Sequence, residues 1–291
     1  MLAQELQSVL QNSGFAWECH GHPDIDLCQP DTLRQRIQQV QPSLIINAAG
    51  YTDVDQAESH PELAFALNRD GVQALAEQAH RFHIPLFHIS TDFVFNGNSS
   101  RPFREDDPAS PLGVYGRSKW EGEEAVRQCH AHHVILRTAW LYSVYGRNFL
   151  KTILYKIQKG QELRVVNDQW GCPTWAKNLA SALVVIAEKI FIEKEACWGT
   201  YHFCGSGETT WYGLAQAIVQ QAKGQVPFPE ERLLPIRTVD YPTAAKRPAY
   251  SVLDCSKVHQ VFGVGTPHWH DGVRQCVKEL LACPDLLHAQ S

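Results

Sequence analysis

The sequence has no run of about 18 apolar residues, so no membrane span is expected. It opens without a basic segment followed by an apolar core, so no signal peptide is expected. None of its nine cysteines forms a C-x-x-C pair, which excludes the common zinc-ribbon and dithiol spacings. An odd count, scattered from Cys19 to Cys283, fits free thiols in a reducing, cytoplasmic setting. Neither sign of charge dominates; a net charge of -5 argues against a nucleic-acid surface. Beyond His130, His132 and His133 the fourteen histidines show no metal-ligand spacing. That trio reads as a solvated helix end or loop, and no metal site is expected from it. Met1 is the sole methionine, and no repeat or low-complexity tract is present.

What is present alternates. An amphipathic helix over 2–12 precedes a strand around Phe15–Cys19 and a helix near 31–40 that Asp31 caps. Ser43–Gly50 and Ile84–Ser90 are short, nearly all-apolar runs, as in strands buried on both faces of a parallel sheet. A long helix over about 61–82 separates them. Helix 112–129 leads into strand His133–Arg137. Strand-helix alternation at this spacing predicts an α/β fold, a doubly wound parallel, Rossmann-like sheet over residues 1–160. Residues 161–291 change texture. Short strands at Leu163–Val166 and Thr200–Cys204 mix with Pro- and Gly-rich loops and helices near 175–190, 210–223 and 270–282. This half reads as a smaller substrate-binding lobe, interleaved with the sheet.

Tyr115 and Lys119 lie four apart on a helix and share a face. A phenol near pKa 10 is a poor proton donor at neutral pH, and an adjacent ammonium lowers it. The same ammonium can hold ribose hydroxyls. Tyr-x-x-x-Lys alone is a weak signal, but here it follows a strand ending Ser90-Thr91-Asp92, and ligands gather at the carboxyl ends of parallel strands. Thr91 can donate to a substrate oxygen while Tyr115 supplies a proton. Asn47-Ala48-Ala49-Gly50 ends another strand with small residues that let a flat nucleotide approach the backbone. The acid that would read a ribose is absent near Cys19–His22, which leans toward a 2′-phosphorylated cofactor.

These segments amount to a resemblance covering essentially the whole chain. It rests on Ile46–Glu58, Ser90–Gly97, Tyr115–Lys119, Leu136–Tyr142, Asn167–Thr174 and Lys246–Asp254. The sequence resembles the extended short-chain dehydrogenase/reductases, and within them the dTDP-4-dehydrorhamnose reductase family. The resemblance implies an oxidoreductase of dTDP-rhamnose and polysaccharide biosynthesis. NADPH (or NADH) would deliver hydride to C4 of a nucleotide sugar. It places Tyr115, Lys119 and Thr91 in catalysis. Asp26, Leu27, Ala49, Gly50 and Thr52 fall on cofactor positions, together with Tyr115 and Lys119. Thr91, Asp92, Val54, Trp140 and Arg247 fall on the substrate side, with Arg247 toward the diphosphate or in a salt bridge. Asp168 to Thr174 would shape the sugar pocket, with Thr174 capping the next helix. Related reductases often dimerise, in some cases through Mg²⁺, so a homodimer and Mg²⁺ join the expectations.

The chain departs from that family at its start. Members open with a strand and a Gly-x-x-Gly-x-x-Gly turn, and here only Ala3 matches, at the third glycine. Two accounts stand: a protein that begins upstream of Met1, or a shortened one with weak or no catalysis. The alternatives to a 4-ketoreductase are another nucleotide-sugar reductase or epimerase. A further one is a non-catalytic binding subunit, resembling the regulatory subunit of methionine adenosyltransferase.

Overall fold

The computed structural model describes residues 1–192 and 197–288. Helix α1 (Leu2–Leu10) is followed by irregular chain and α2 (Pro30–Val40). Strand β1 (Ile45–Asn47) leads to α3 (Val54–Ser59), α4 (Pro61–Phe65), a π-helical turn over Ala66–Asp70 and α5 (Gly71–Arg81). Then come β2 (Leu86–Thr91), a 3-10 turn over Asp92–Val94, α6 (Val114–Cys129) and β3 (His133–Thr138). The second half holds β4 (Leu141–Tyr142), α7 (Phe149–Gln158), β5 (Leu163–Val166), β6 (Trp170–Gly171), β7 (Thr174–Trp175) and α8 (Ala176–Ile192). It continues with β8 (Gly199–His202), β9 (Thr209–Thr210), α9 (Trp211–Ala222), β10 (Leu233–Ile236), α10 (Ser256–Phe262), α11 (Trp269–Ala282) and α12 (Pro284–His288).

The main sheet is parallel, in the order β1-β2-β3-β8. Its two faces follow from the period-2 alternation of a strand. Phe87, Val134 and Leu136 point into a core with Leu2 and Leu6 of α1, Leu179 and Leu183 of α8, and Phe262 of α10. Leu86 and Ile135 point the other way, onto Leu33 and Ile37 of α2, Leu75 and Ala76 of α5, and Val126 of α6. Burial on both faces is why these strands read as continuous apolar runs, each large side chain contributing about 1.5–3 kcal/mol. A third core joins α7, α9 and α11 around Leu154, Ile218 and Val277, flanked by the parallel pair β5–β10.

Several expectations need correction. Phe15–Cys19 forms no strand. Strands are stable only when their backbone groups find partners, and among the described residues β1 is hydrogen-bonded only to β2. The long helix over 61–82 is broken by the π turn, which carries the buried Asn68. α2 starts at Pro30 with Gln29 as its cap residue, so Asp31 sits in the first turn and caps nothing. Thr174 lies in β7, and its hydroxyl donates to Cys172 O at 3.3 Å rather than capping α8. His130 and His133 are buried, not solvated: His130 Nε2 lies 2.8 Å from Ile84 O, and His133 Nδ1 lies 2.5 Å from His130 O. Among the described residues no helix is long and apolar enough to cross a membrane.

Candidate active site

Tyr115 stands in the first turn of α6, which begins after Gly113 without a side-chain cap of its own. Glu58, near the end of α3, supplies the missing acceptor: Val114 N donates to its Oε1 at 2.8 Å. Asp53 in turn caps α3, accepting from Gln56 N at 3.1 Å. The Tyr115 ring is half-buried and meets Phe93 edge-on, with centroids 5.5 Å apart. One turn along α6, Lys119 is buried and its Nζ donates to Ile89 O at 2.7 Å. Burial drives its pKa down to about 8, with Glu123 opposing.

Thr91 closes β2 at its carboxyl end. Its Oγ1 accepts from Phe93 N at 3.2 Å and donates to Asp92 Oδ1 at 3.1 Å. Burial pushes the Tyr115 phenol up to about 12; Thr91 pulls it back and the Asp92 charge adds to the rise. The sequence reading gave Lys119 the task of lowering this phenol. Lys119 has its ammonium on the Ile89 carbonyl, and the groups that bear on the buried phenol in this structure are Thr91 and Asp92.

Asp92 is buried, its Oδ2 has no partner, and burial lifts its pKa to about 6 against the hydrogen bonds of Ser251 and Thr91. An exposed Asp titrates near 3.9. Between about pH 4 and about pH 6 the folded protein therefore holds a proton that the unfolded chain has lost. Stability falls across that window as pH rises, by roughly 3 kcal/mol for this group, and is level on either side. Asp92→Asn is expected to gain stability relative to the parent as pH rises through the window. Urea unfolding at both ends of it checks this, and a difference constant with pH would contradict it.

The loop after β1 lies against the same helix. Ala49 N donates to Asn47 Oδ1 at 3.0 Å, and Asn47 Nδ2 meets His88 Nδ1 at 3.1 Å. Burial first, then the Lys119 charge, holds His88 well below its ordinary value, so it is neutral. A Cβ added to Gly50 would sit 3.1 Å from Asn68 Oδ1 and 3.7 Å from Lys119 Nζ, so this backbone approaches the lysine closely. Asn68 accepts from Tyr51 N (2.8 Å) and donates to Tyr51 O and Ser118 Oγ (3.0 Å each). It clamps the loop to α6 from the π turn. Thr52 is exposed, and Val54 is half-buried at the start of α3. Asp26 is occupied by Cys28 N and Gln29 Nε2, while Leu27 is buried beneath Gly71, next to that turn.

Trp140, just beyond β3, is stacked on Trp211 with centroids 3.6 Å apart and abuts Gly171. Its φ of 47° is strained for a bulky residue, a cost that proteins keep mainly at functional positions. Arg247 Nη2 donates to Asp55 Oδ2 at 2.7 Å, and its Nη1 is buried without a partner. Asp168 accepts from Thr238 N and Oγ1. Among the described residues no three His, Cys, Asp or Glu side chains come together as a metal site, and nothing supports the expected Mg²⁺.

Residues 1–282 match the family model of the RmlD substrate binding domain. The chain belongs to that family. It is 42% identical over 262 residues to the dTDP-4-dehydrorhamnose reductase of Sinorhizobium fredii, covering 90% of this chain and 88% of that one. Against the Escherichia coli K12 dTDP-4-dehydrorhamnose reductase it is 39% identical over 280 residues, 95% and 93% of the two chains. The Bacillus anthracis dTDP-4-dehydrorhamnose reductase, solved in complex with NADP, superposes with a TM-score of 0.87 at 31% identity, covering 96% of this chain and 95% of that one.

In this RmlD-family chain, Thr91 and Asp92 meet Tyr115, and Gly50 approaches Lys119 one turn further along α6. Asp26, Leu27, Trp140 and Arg247 are held by structural partners of their own. Glu58 and Asn68 had no assigned role in the sequence reading, and neither did the buried pair of Glu123 and Arg137. Glu58 is visible in the sequence as an acid near the end of a short helix, but its service to a distant helix is not.

Proposed function

We propose that this chain reduces the 4-keto group of dTDP-4-dehydro-L-rhamnose to give dTDP-L-rhamnose, as a cytoplasmic enzyme of polysaccharide precursor synthesis. The observation that carries the reading is the meeting of Thr91, Asp92 and Tyr115 at the carboxyl end of β2, with Lys119 one turn behind. Tyr115 gives its proton to the C4 oxygen as that oxygen gains charge. Thr91 donates a hydrogen bond to the same oxygen, turning from Asp92. A preorganised donor aimed at developing charge is where catalysis gains most. Asp92 holds Thr91 and faces the sugar's edge.

NADPH, when bound, supplies the hydride. Lys119 and Tyr115 would hold its nicotinamide ribose, with Ala49, Gly50 and Thr52 along its side and Asp26 and Leu27 toward its adenosine. The close approach of Gly50 to Lys119 fits a flat group laid on that backbone. NADPH is preferred to NADH because a family relative is solved with NADP, and Glu18, the acid beside Cys19, is taken up by His20 at 2.9 Å. Residues 161–291 mainly bind the nucleotide sugar. Trp140 contacts the sugar, Val54 lines its edge, and the unpartnered Nη1 of Arg247 meets the diphosphate.

The test is product analysis after incubation with NADPH and dTDP-4-dehydro-L-rhamnose. Equal amounts of NADP⁺ and dTDP-L-rhamnose are expected. Sugar interconversion without net NADPH consumption would point to an epimerase, and unaltered bound sugar to a binding protein.

A further inference from the structure

Three sulfurs gather beneath the site, outside its chemistry. Cys172 and Cys204 are buried in the small core formed by Val94, Phe95, Phe103 and Ala139, and Cys255 packs against it half-buried. Cys204 lies just beyond β8, and Cys255 immediately precedes α10. Their Sγ atoms are 3.4 Å apart, and both reach the same acceptor, Leu253 O, at 3.9 Å. The sulfurs would need to close by about 1.4 Å to reach disulfide bonding distance. That is within reach of side-chain rotation and a small shift in the first turn of α10.

We propose that Cys204 and Cys255 form a peroxide-sensitive thiol pair, with Cys255 the residue oxidised first. Cys255 is the only one of the three with appreciable exposure, so a hydroperoxide meets it before the buried pair. The Cys255 thiolate attacks the peroxide oxygen, the O–O bond breaks, and protonation of the leaving oxygen gives water and a sulfenic acid. The Cys204 sulfur then attacks the Cys255 sulfur, the S–O bond breaks, and the Cys204 proton leaves with the hydroxide as a second water. The peroxide is reduced by two electrons and the pair is oxidised by two. The link would tie the end of β8 to a segment already fixed by Phe103 N to Val252 O and Asp254 N to Phe103 O, both at 2.8 Å. Ser251, at the start of that segment, bears on Asp92.

The experiment treats the purified chain with hydrogen peroxide and maps its non-reduced peptides by mass spectrometry. The expected product joins the peptides of Cys204 and Cys255, is undone by dithiothreitol, and leaves two fewer maleimide-reactive thiols than the nine of the reduced, unfolded chain. In Cys172→Ser the link should persist. In Cys204→Ser, Cys255 should instead accumulate as sulfenic acid, trapped by dimedone. A link from Cys172, or peroxide treatment that leaves Cys255 unmodified or only further oxidised without a link, would overturn the proposal. The wild-type peptide map decides the matter even if a variant fails to fold.

Discussion

Tyr115→Phe is expected to lower kcat by about 10²- to 10⁴-fold, the usual contribution of a positioned proton donor. The ring survives the change, so its edge-on contact with Phe93 and the packing of α6 should persist. Only the hydroxyl that acts on the C4 oxygen is removed. NADPH affinity should change far less than kcat, because Lys119 still holds the nicotinamide ribose and only the contact of the Tyr115 hydroxyl with it is lost. A loss confined to kcat and kcat/KM together is the signature of an interaction made in the transition state. Steady-state kinetics and NADPH titration separate the two effects. Turnover within a few-fold of wild type would remove Tyr115 from the mechanism. The pH profile should carry a companion signal. With the phenol near 12 and Lys119 near 8, activity is expected to fall on the alkaline side as Lys119 loses its proton.

Glu123→Gln is expected to destabilise the fold by about 3–5 kcal/mol, the cost of breaking a buried ion pair from one side. Glu123 and Arg137 are almost wholly buried, on α6 and β3. Arg137 Nε donates to Glu123 Oε1 at 2.9 Å and its second terminal nitrogen to Oε2 at 2.7 Å, while Arg127 also reaches Oε2 at 2.7 Å. Burial would raise the Glu123 pKa, but the two arginines more than offset it and hold the carboxylate ionised. Removing its charge strands Arg137, which lies over the rings of Phe95 and Trp120. Because α6 also carries Tyr115 and Lys119, activity should be lost at lower temperature than in the parent. Thermal unfolding checks this. A midpoint within a degree of wild type would contradict it, and Arg137→Met on top of Glu123→Gln should recover part of the loss.

Much of this was legible from residues alone. The continuous apolar runs located β1 and β2 because a strand covered on both faces has no polar side to show. Tyr115 and Lys119 declared themselves by their spacing and by the strand end upstream. What stayed hidden depends on partners far away in sequence. Phe15–Cys19 has strand-like composition, but composition cannot show whether a neighbouring edge is available. The π turn at Ala66–Asp70 hides in a helical pattern, since one extra residue in a turn leaves the apolar spacing almost intact. Asn68 and Glu58 look like ordinary helix-surface polar residues, and only the approach of α6 gives them work. Arg247 reads from sequence as either a ligand or an ion-pair residue; the ion pair, with Asp55, is the part the structure holds, and Nη1 has no partner.

The most direct measurement is the initial rate of NADPH oxidation by this chain with dTDP-4-dehydro-L-rhamnose, followed by absorbance. The account predicts substrate-dependent oxidation that saturates with the sugar and is lost in Tyr115→Phe. A folded protein that binds the nucleotide sugar yet oxidises no NADPH would contradict it.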